Sequence, residues 1–181
     1  IDKLKALVAH ADILIQNLRP GIADECGIGP EAMIAVNPQL VYCSIWAFGY
    51  TGPMKMAPGF DPLAQCYGAV VTLTGRPDDP PTFCAPAIND TATGMWTVIG
   101  ALTALHHRQA TGKGSVVTTS LFETALGWVA RHVAEYGADL RVEAEQVFRR
   151  HSRDHRLSFC DAISFVVVTT LLERMPCVAF D

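Results

Sequence analysis

The chain has 181 residues, half of them hydrophobic, enough for a sizeable core in one large domain or in one domain plus part of another. Its net charge is −4 with both signs mixed, which excludes an electrostatic argument for nucleic acid or an anionic membrane as partner. No apolar run reaches the roughly 18 residues of a membrane span, and Ile1-Asp-Lys-Leu-Lys lacks a signal-peptide layout, so the expected setting is cytoplasmic.

In chain order, Leu4, Leu7 and Val8 give residues 2–10 a helical pattern, and Ala11 to Ile15 reads as a buried strand ending at the polar Gln16 and Asn17. Arg19-Pro20-Gly21 makes a turn, a short helix runs through Glu25 to a stop at Gly27, and Pro30 starts another over residues 31–36. Asn37-Pro38 breaks that helix before a second buried strand, Leu40 to Ile45. Two glycine- and proline-rich loops follow, Phe48 to Met54 and Ala57 to Pro62. Leu63 to Leu73 reads as one helix, and Thr74 to Pro81 as a polar connection.

After Pro86 come Asn89 and Asp90, both strong N-cap types, at the mouth of a long helix running to about Gln109. Met95, Val98, Ile99, Leu102 and Leu105 recur at helical spacing and read as its apolar face. A carboxylate at that mouth faces unpaired N–H groups and the positive end of the helix dipole, so Asp90 is expected to stay ionised at neutral pH. Its plain reading is a cap worth about 0.5–2 kcal/mol. Thr111-Gly-Lys-Gly114 ends the helix, Ser115 to Thr119 is a third strand, and Leu121 to Tyr136 is a helix with Phe122, Ala125, Leu126 and Val129 on one face. Strands alternating with helices indicate an α/β domain with a largely parallel sheet.

Cys26, Cys43, Cys66, Cys84, Cys160 and Cys177 are widely spaced without a C-x-x-C pair, and read as small buried hydrophobes rather than metal ligands or a disulfide frame. Composition changes near Gly137, and five arginines fall between Arg141 and Arg156 before an apolar stretch. A boundary is expected at about residue 139, separating 1–138 from 139–181.

The ordered segments Ala11-Asp-Ile-Leu-Ile-Gln-Asn-Leu-Arg-Pro-Gly21, Asn37-Pro-Gln-Leu-Val-Tyr-Cys-Ser-Ile45, Phe48-Gly-Tyr-Thr-Gly-Pro53, Pro58-Gly-Phe-Asp61, the Asp90 stretch, Thr111-Gly-Lys-Gly114 and Ser120-Leu-Phe-Glu-Thr-Ala125 resemble the class III CoA-transferase family. That group includes formyl-CoA transferase, carnitine CoA-transferases and α-methylacyl-CoA racemase. The resemblance implies a Rossmann-like, mostly parallel sheet with flanking helices, incomplete at both ends, because the family's first strand and helix and its second domain would lie outside Ile1 to about 138. It implies that Asp90 is the catalytic nucleophile, forming aspartyl covalent intermediates as coenzyme A moves from an acyl-CoA thioester to a carboxylic acid. It also implies that Asn17, Leu18 and Arg19 contact the CoA nucleotide, that no metal is used, and that the intact protein is an interlocked homodimer.

The racemase branch uses a histidine where Phe60 stands, and a phenyl ring exchanges no proton, which favours transfer over racemisation. His10, His106 and His107 read as structural or solvated. The segment from about residue 143, with Arg153-Asp-His-Arg-Leu-Ser-Phe-Cys-Asp-Ala-Ile-Ser-Phe165 and Ala179-Phe-Asp181, resembles instead the C-terminal part of a PIN-domain ribonuclease, a helical piece of different origin. Asp161 and Asp181 would match two of that family's metal-gathering acids. The alternatives to CoA transfer are therefore a PIN-type ribonuclease fragment or a fragment without catalysis.

Overall fold

A computed structural model of the chain describes residues 1–76 and 78–130. In chain order its elements are α1 (Asp2–Val8), β1 (Ile13–Gln16), α2 (Ile22–Glu25), α3 (Pro30–Val36), β2 (Val41–Trp46), α4 (Asp61–Tyr67), α5 (Val70–Leu73), α6 (Ile88–Thr111) and β3 (Ser115–Ser120). Residues 121–130 are again helical and are called α7 below. The expected boundary near residue 139 and the whole tail, with Cys160, Cys177, Asp161 and Asp181, lie outside the described residues.

The three strands form one parallel sheet in the order β1-β2-β3, with Ile13 opposite Val41 and Val41 opposite Ser115. Alternation along each strand divides the core in two. On one face Leu14 and Tyr42 pack with Val8, Met33, Leu40 and Val36, so α1 and α3 cover that side. On the other, Ile13, Val41, Cys43 and Val117 pack against Ala101, Ala104 and Leu105 of α6. β2 is central and buried, whereas β1 lies at an edge and leaves Ile15 56% exposed, so the expectation of a buried first strand is corrected.

The helix expected over Leu63 to Leu73 is two helices. Ala69 takes a left-handed conformation (φ 59°) and ends continuity between α4 and α5. Gly68 beside it is required by packing, because a Cβ there would overlap Ala125 Cβ of α7.

α7 starts at the S-x-x-E pattern of Ser120 and Glu123, of which the serine half caps the helix. Ser120 Oγ accepts the Glu123 N–H at 3.2 Å and donates to Glu123 Oε2 at 2.7 Å. Its buried residues are Leu121, Thr124, Ala125 and Val129. Phe122 is half-buried and Leu126 is 40% exposed, one position away from the face expected.

The largest reversal concerns α6. Its buried positions are Asn89, Ala92, Thr93, Thr97, Ala101 and Ala104, all small or polar, while Met95, Val98, Ile99 and Leu102 are each more than half exposed. Small side chains let the helix lie close on the sheet, and hydroxyls settle there by bonding one another. Thr97 Oγ1 lies 2.7 Å from Thr119 Oγ1 and Thr93 Oγ1 lies 2.8 Å from Thr124 Oγ1. At the far end, Gly112 closes α6 in the left-handed conformation, and Arg108 binds Gln39 O at 2.9 Å and Asp12 Oδ1 at 2.7 Å.

Candidate active site

α6 begins at Ile88 with Ala87 as its N-cap, and neither Asn89 nor Asp90 caps it. Asp90 is the third helical residue, and the helix-start donors expected to hold it are already taken. Asp61, at the start of α4, is 3% exposed, and its Oδ2 accepts the Asn89 N–H at 2.7 Å and the Asp90 N–H at 3.1 Å. The carboxylate that satisfies this helix mouth therefore comes from 28 or 29 residues earlier.

The consequence for Asp90 reverses the electrostatic expectation. Partial burial, and then the charge of Asp61, push its carboxyl above the ordinary aspartate value. Behind it Asn89 is fully buried, and neither its amide oxygen nor its amide nitrogen has a partner among the described residues. An unpaired buried polar group costs about 1–3 kcal/mol, so Asn89 lowers local stability at the start of α6.

Asp90 opens into a cleft of about 310 Å³ whose lining includes Phe60, Asp61, Phe83, Cys84 and Pro86. Besides the two acids, the cleft is lined by Gln65 and by mainly apolar side chains. Phe60, 60% exposed, lines the same cleft as Asp90, and its ring cannot exchange a proton. His10, His106 and His107 are exposed and do not line it.

The other expected site residues lie at the carboxyl ends of the strands, where open α/β sheets commonly receive ligands. A second cavity of about 760 Å³ is lined by Gln16, Arg19, Ser44, Trp46, Tyr50 and Thr118, among others. Trp46 and Tyr50 stack with centroids 5.0 Å apart. Arg19 belongs to this cavity, whereas Asn17 and Leu18 are exposed beside it and are not in its lining. Gln16, expected only as a strand end, organises the loop: Oε1 accepts the Leu18 N–H at 2.8 Å and Nε2 donates to Ser44 Oγ at 3.0 Å.

Asp90 and Arg19 thus line separate cavities. Among the described residues no group of three or more His, Cys, Asp or Glu side chains comes together to hold a metal ion, and no helix is long and apolar enough to cross a membrane. Of the cysteines described, Cys43 is buried, Cys66 and Cys84 are half-buried and Cys26 is exposed, which corrects the reading of Cys26 as a buried hydrophobe.

Residues 2–164 match the profile of CoA-transferase family III. The match runs past residue 139. The chain is 38% identical over 133 residues to the succinyl-CoA–D-citramalate CoA-transferase of Chloroflexus aurantiacus, covering 74% of this chain and 33% of that one. It is 33% identical over 146 residues to the acetyl-CoA:oxalate CoA-transferase of Acetobacter aceti, covering 80% and 37%. A solved structure of a CAIB/BAIF family protein from Brucella suis superposes with a TM-score of 0.73 at 39% identity, covering 76% of this chain and 36% of that one. The chain therefore spans about a third of the length of these relatives.

Proposed function

From the premise that this chain belongs to CoA-transferase family III, we propose that it carries the nucleophile of a transferase moving coenzyme A from an acyl-CoA thioester to a small carboxylic acid. The observation that carries this reading is Asp90 at the head of α6, facing a cleft of about 310 Å³.

The reaction would run in four balanced steps. The Asp90 carboxylate attacks the thioester carbonyl, giving a mixed anhydride and CoA thiolate. The thiolate attacks the aspartyl carbonyl, giving an aspartyl-CoA thioester and the free donor acid. The acceptor carboxylate displaces the thiolate to form a second anhydride. The thiolate then attacks the acceptor's acyl carbon, releasing the new acyl-CoA and restoring Asp90. No proton has to pass through a side chain, which suits a cleft holding Phe60 where proton exchange would need a basic group.

Arg19 is the residue suited to the phosphates of CoA, and the Trp46–Tyr50 pair in the same cavity offers a flat apolar surface for its base. Asn17 and Leu18 take part as the exposed loop beside it. The similar proteins support acyl-CoA donors and carboxylate acceptors by their names, succinyl-CoA with D-citramalate in one and acetyl-CoA with oxalate in another.

Incubation with an acyl-CoA and hydroxylamine, followed by peptide mass spectrometry, should place a hydroxamate on Asp90. The adduct should vanish in Asp90→Ala. No adduct, or one that survives the substitution, overturns the proposal.

A further inference from the structure

Asp61 opens α4, yet its carboxylate serves α6. Besides the Asn89 and Asp90 N–H groups it accepts Gln65 Nε2 through Oδ1. Gln65 in turn holds the segment that leads into α6: its Oε1 accepts the Cys84 N–H at 2.9 Å and its Nε2 reaches Cys84 O at 3.3 Å. Two side chains one helical turn apart on α4 therefore fix the stretch from Cys84 to Asp90.

We propose that Asp61 is a positioning residue for the Asp90 nucleophile: it occupies the donors at the start of α6 and sets a second negative charge where the helix would otherwise offer a positive one. The proposal rests on the reading of Asp90 as the nucleophile. Attack on a thioester converts the Asp90 carboxylate to a neutral anhydride and then to a neutral thioester, with CoA leaving as thiolate. The repulsion between the two acids is present in the resting enzyme and absent once Asp90 is acylated, so it favours the covalent states over the free anion. A more basic carboxylate is also the stronger nucleophile while it stays ionised. The upward push on the Asp90 carboxyl has the direction this arrangement requires. Asp61 from α4 and Cys84 from the preceding segment are the titratable groups lining the cleft with it.

Carbon NMR of the Asp90 carboxyl in the full chain, wild type against Asp61→Asn, provides the test. Asparagine keeps an acceptor oxygen for the two N–H groups and removes the charge. Asp90 should titrate above ordinary aspartate in the wild type, and its midpoint should shift down in Asp61→Asn while the Asn89 and Asp90 amide protons keep their hydrogen-bonded positions. A midpoint that stays put in the folded variant overturns the proposal, and so does a wild-type midpoint at or below the ordinary value, which needs no variant to fold. With hydroxylamine trapping, Asp61→Asn should yield less hydroxamate per unit time. A shifted midpoint with no hydroxamate from either protein would remove the transfer reading and leave the positioning of Asp90 by Asp61 standing.

Discussion

Two acids meet at the mouth of α6, and the exposed one carries the electrostatic penalty. Because the folded-state value of Asp90 lies above its unfolded one, the native chain holds that proton to higher pH than the unfolded chain does. The associated stability is fully present below the ordinary aspartate value of about 3.9 and is lost as pH rises through the raised one. Asp90→Asn keeps the side chain's size and removes its charge, so at pH 7 it should unfold at a higher temperature than the wild type. That advantage should shrink with added salt, because Asp90 is exposed, and disappear below about pH 4. Thermal unfolding at the two pH values measures it; an asparagine variant no more stable at pH 7 would mean that neither the partial burial nor the charge of Asp61 penalises the Asp90 carboxylate. The position of Asp90 in the first turn of α6 was legible in the sequence, from Pro86 and the helical spacing behind it, while its expected role as cap was not met. Asp61 was not, because its bonds reach 28 and 29 residues along the chain and local patterns carry no such information. Its only local trace is an Asp-Pro pair at a helix start with Gln65 one turn later.

α6 shows how an apolar pattern can be read correctly as a helix and wrongly as a face. Hydrophobic period fixes the angle between residues but not which side meets the sheet. Here the buried side is Ala92, Thr93, Thr97, Ala101 and Ala104, because the parallel strands approach too closely for large side chains. Ala101→Leu should therefore destabilise the fold by about 1–3 kcal/mol through overpacking against Val41 and Cys43. Ile99→Gln, at a position half exposed in one chain, should stay within about 0.5 kcal/mol when measured at concentrations where the chain sediments as a monomer. Urea unfolding of both variants decides between the two faces, and equal losses would restore the large-residue face as the buried one. The hydroxyl pairs of Thr93 with Thr124 and Thr97 with Thr119 explain how a helix with polar residues inward stays satisfied.

Across the whole described unit, Ile1–Val129, the alternation of strand and helix was legible and each strand fell within two residues of its expected bounds, since β-branched runs between glycine and proline stops leave few options. What a sequence of this kind conceals is which surfaces are final. Met95, Val98, Ile99 and Leu102 form an exposed apolar row along α6, a pattern that single soluble surfaces seldom carry and that marks contact with another surface. The homodimer that the family resemblance implies for the intact protein suggests one occupant, a second copy meeting this row. Under that reading the chain should sediment with a mass that rises with its concentration, and Ile99→Glu with Leu102→Glu should hold it at the monomer mass by placing charges in the contact. Both positions face solvent in one chain, so the pair should leave the circular dichroism spectrum unchanged. A wild-type chain that stays monomeric across the range, or a doubly substituted chain that associates as before, would assign the row to something other than a second copy.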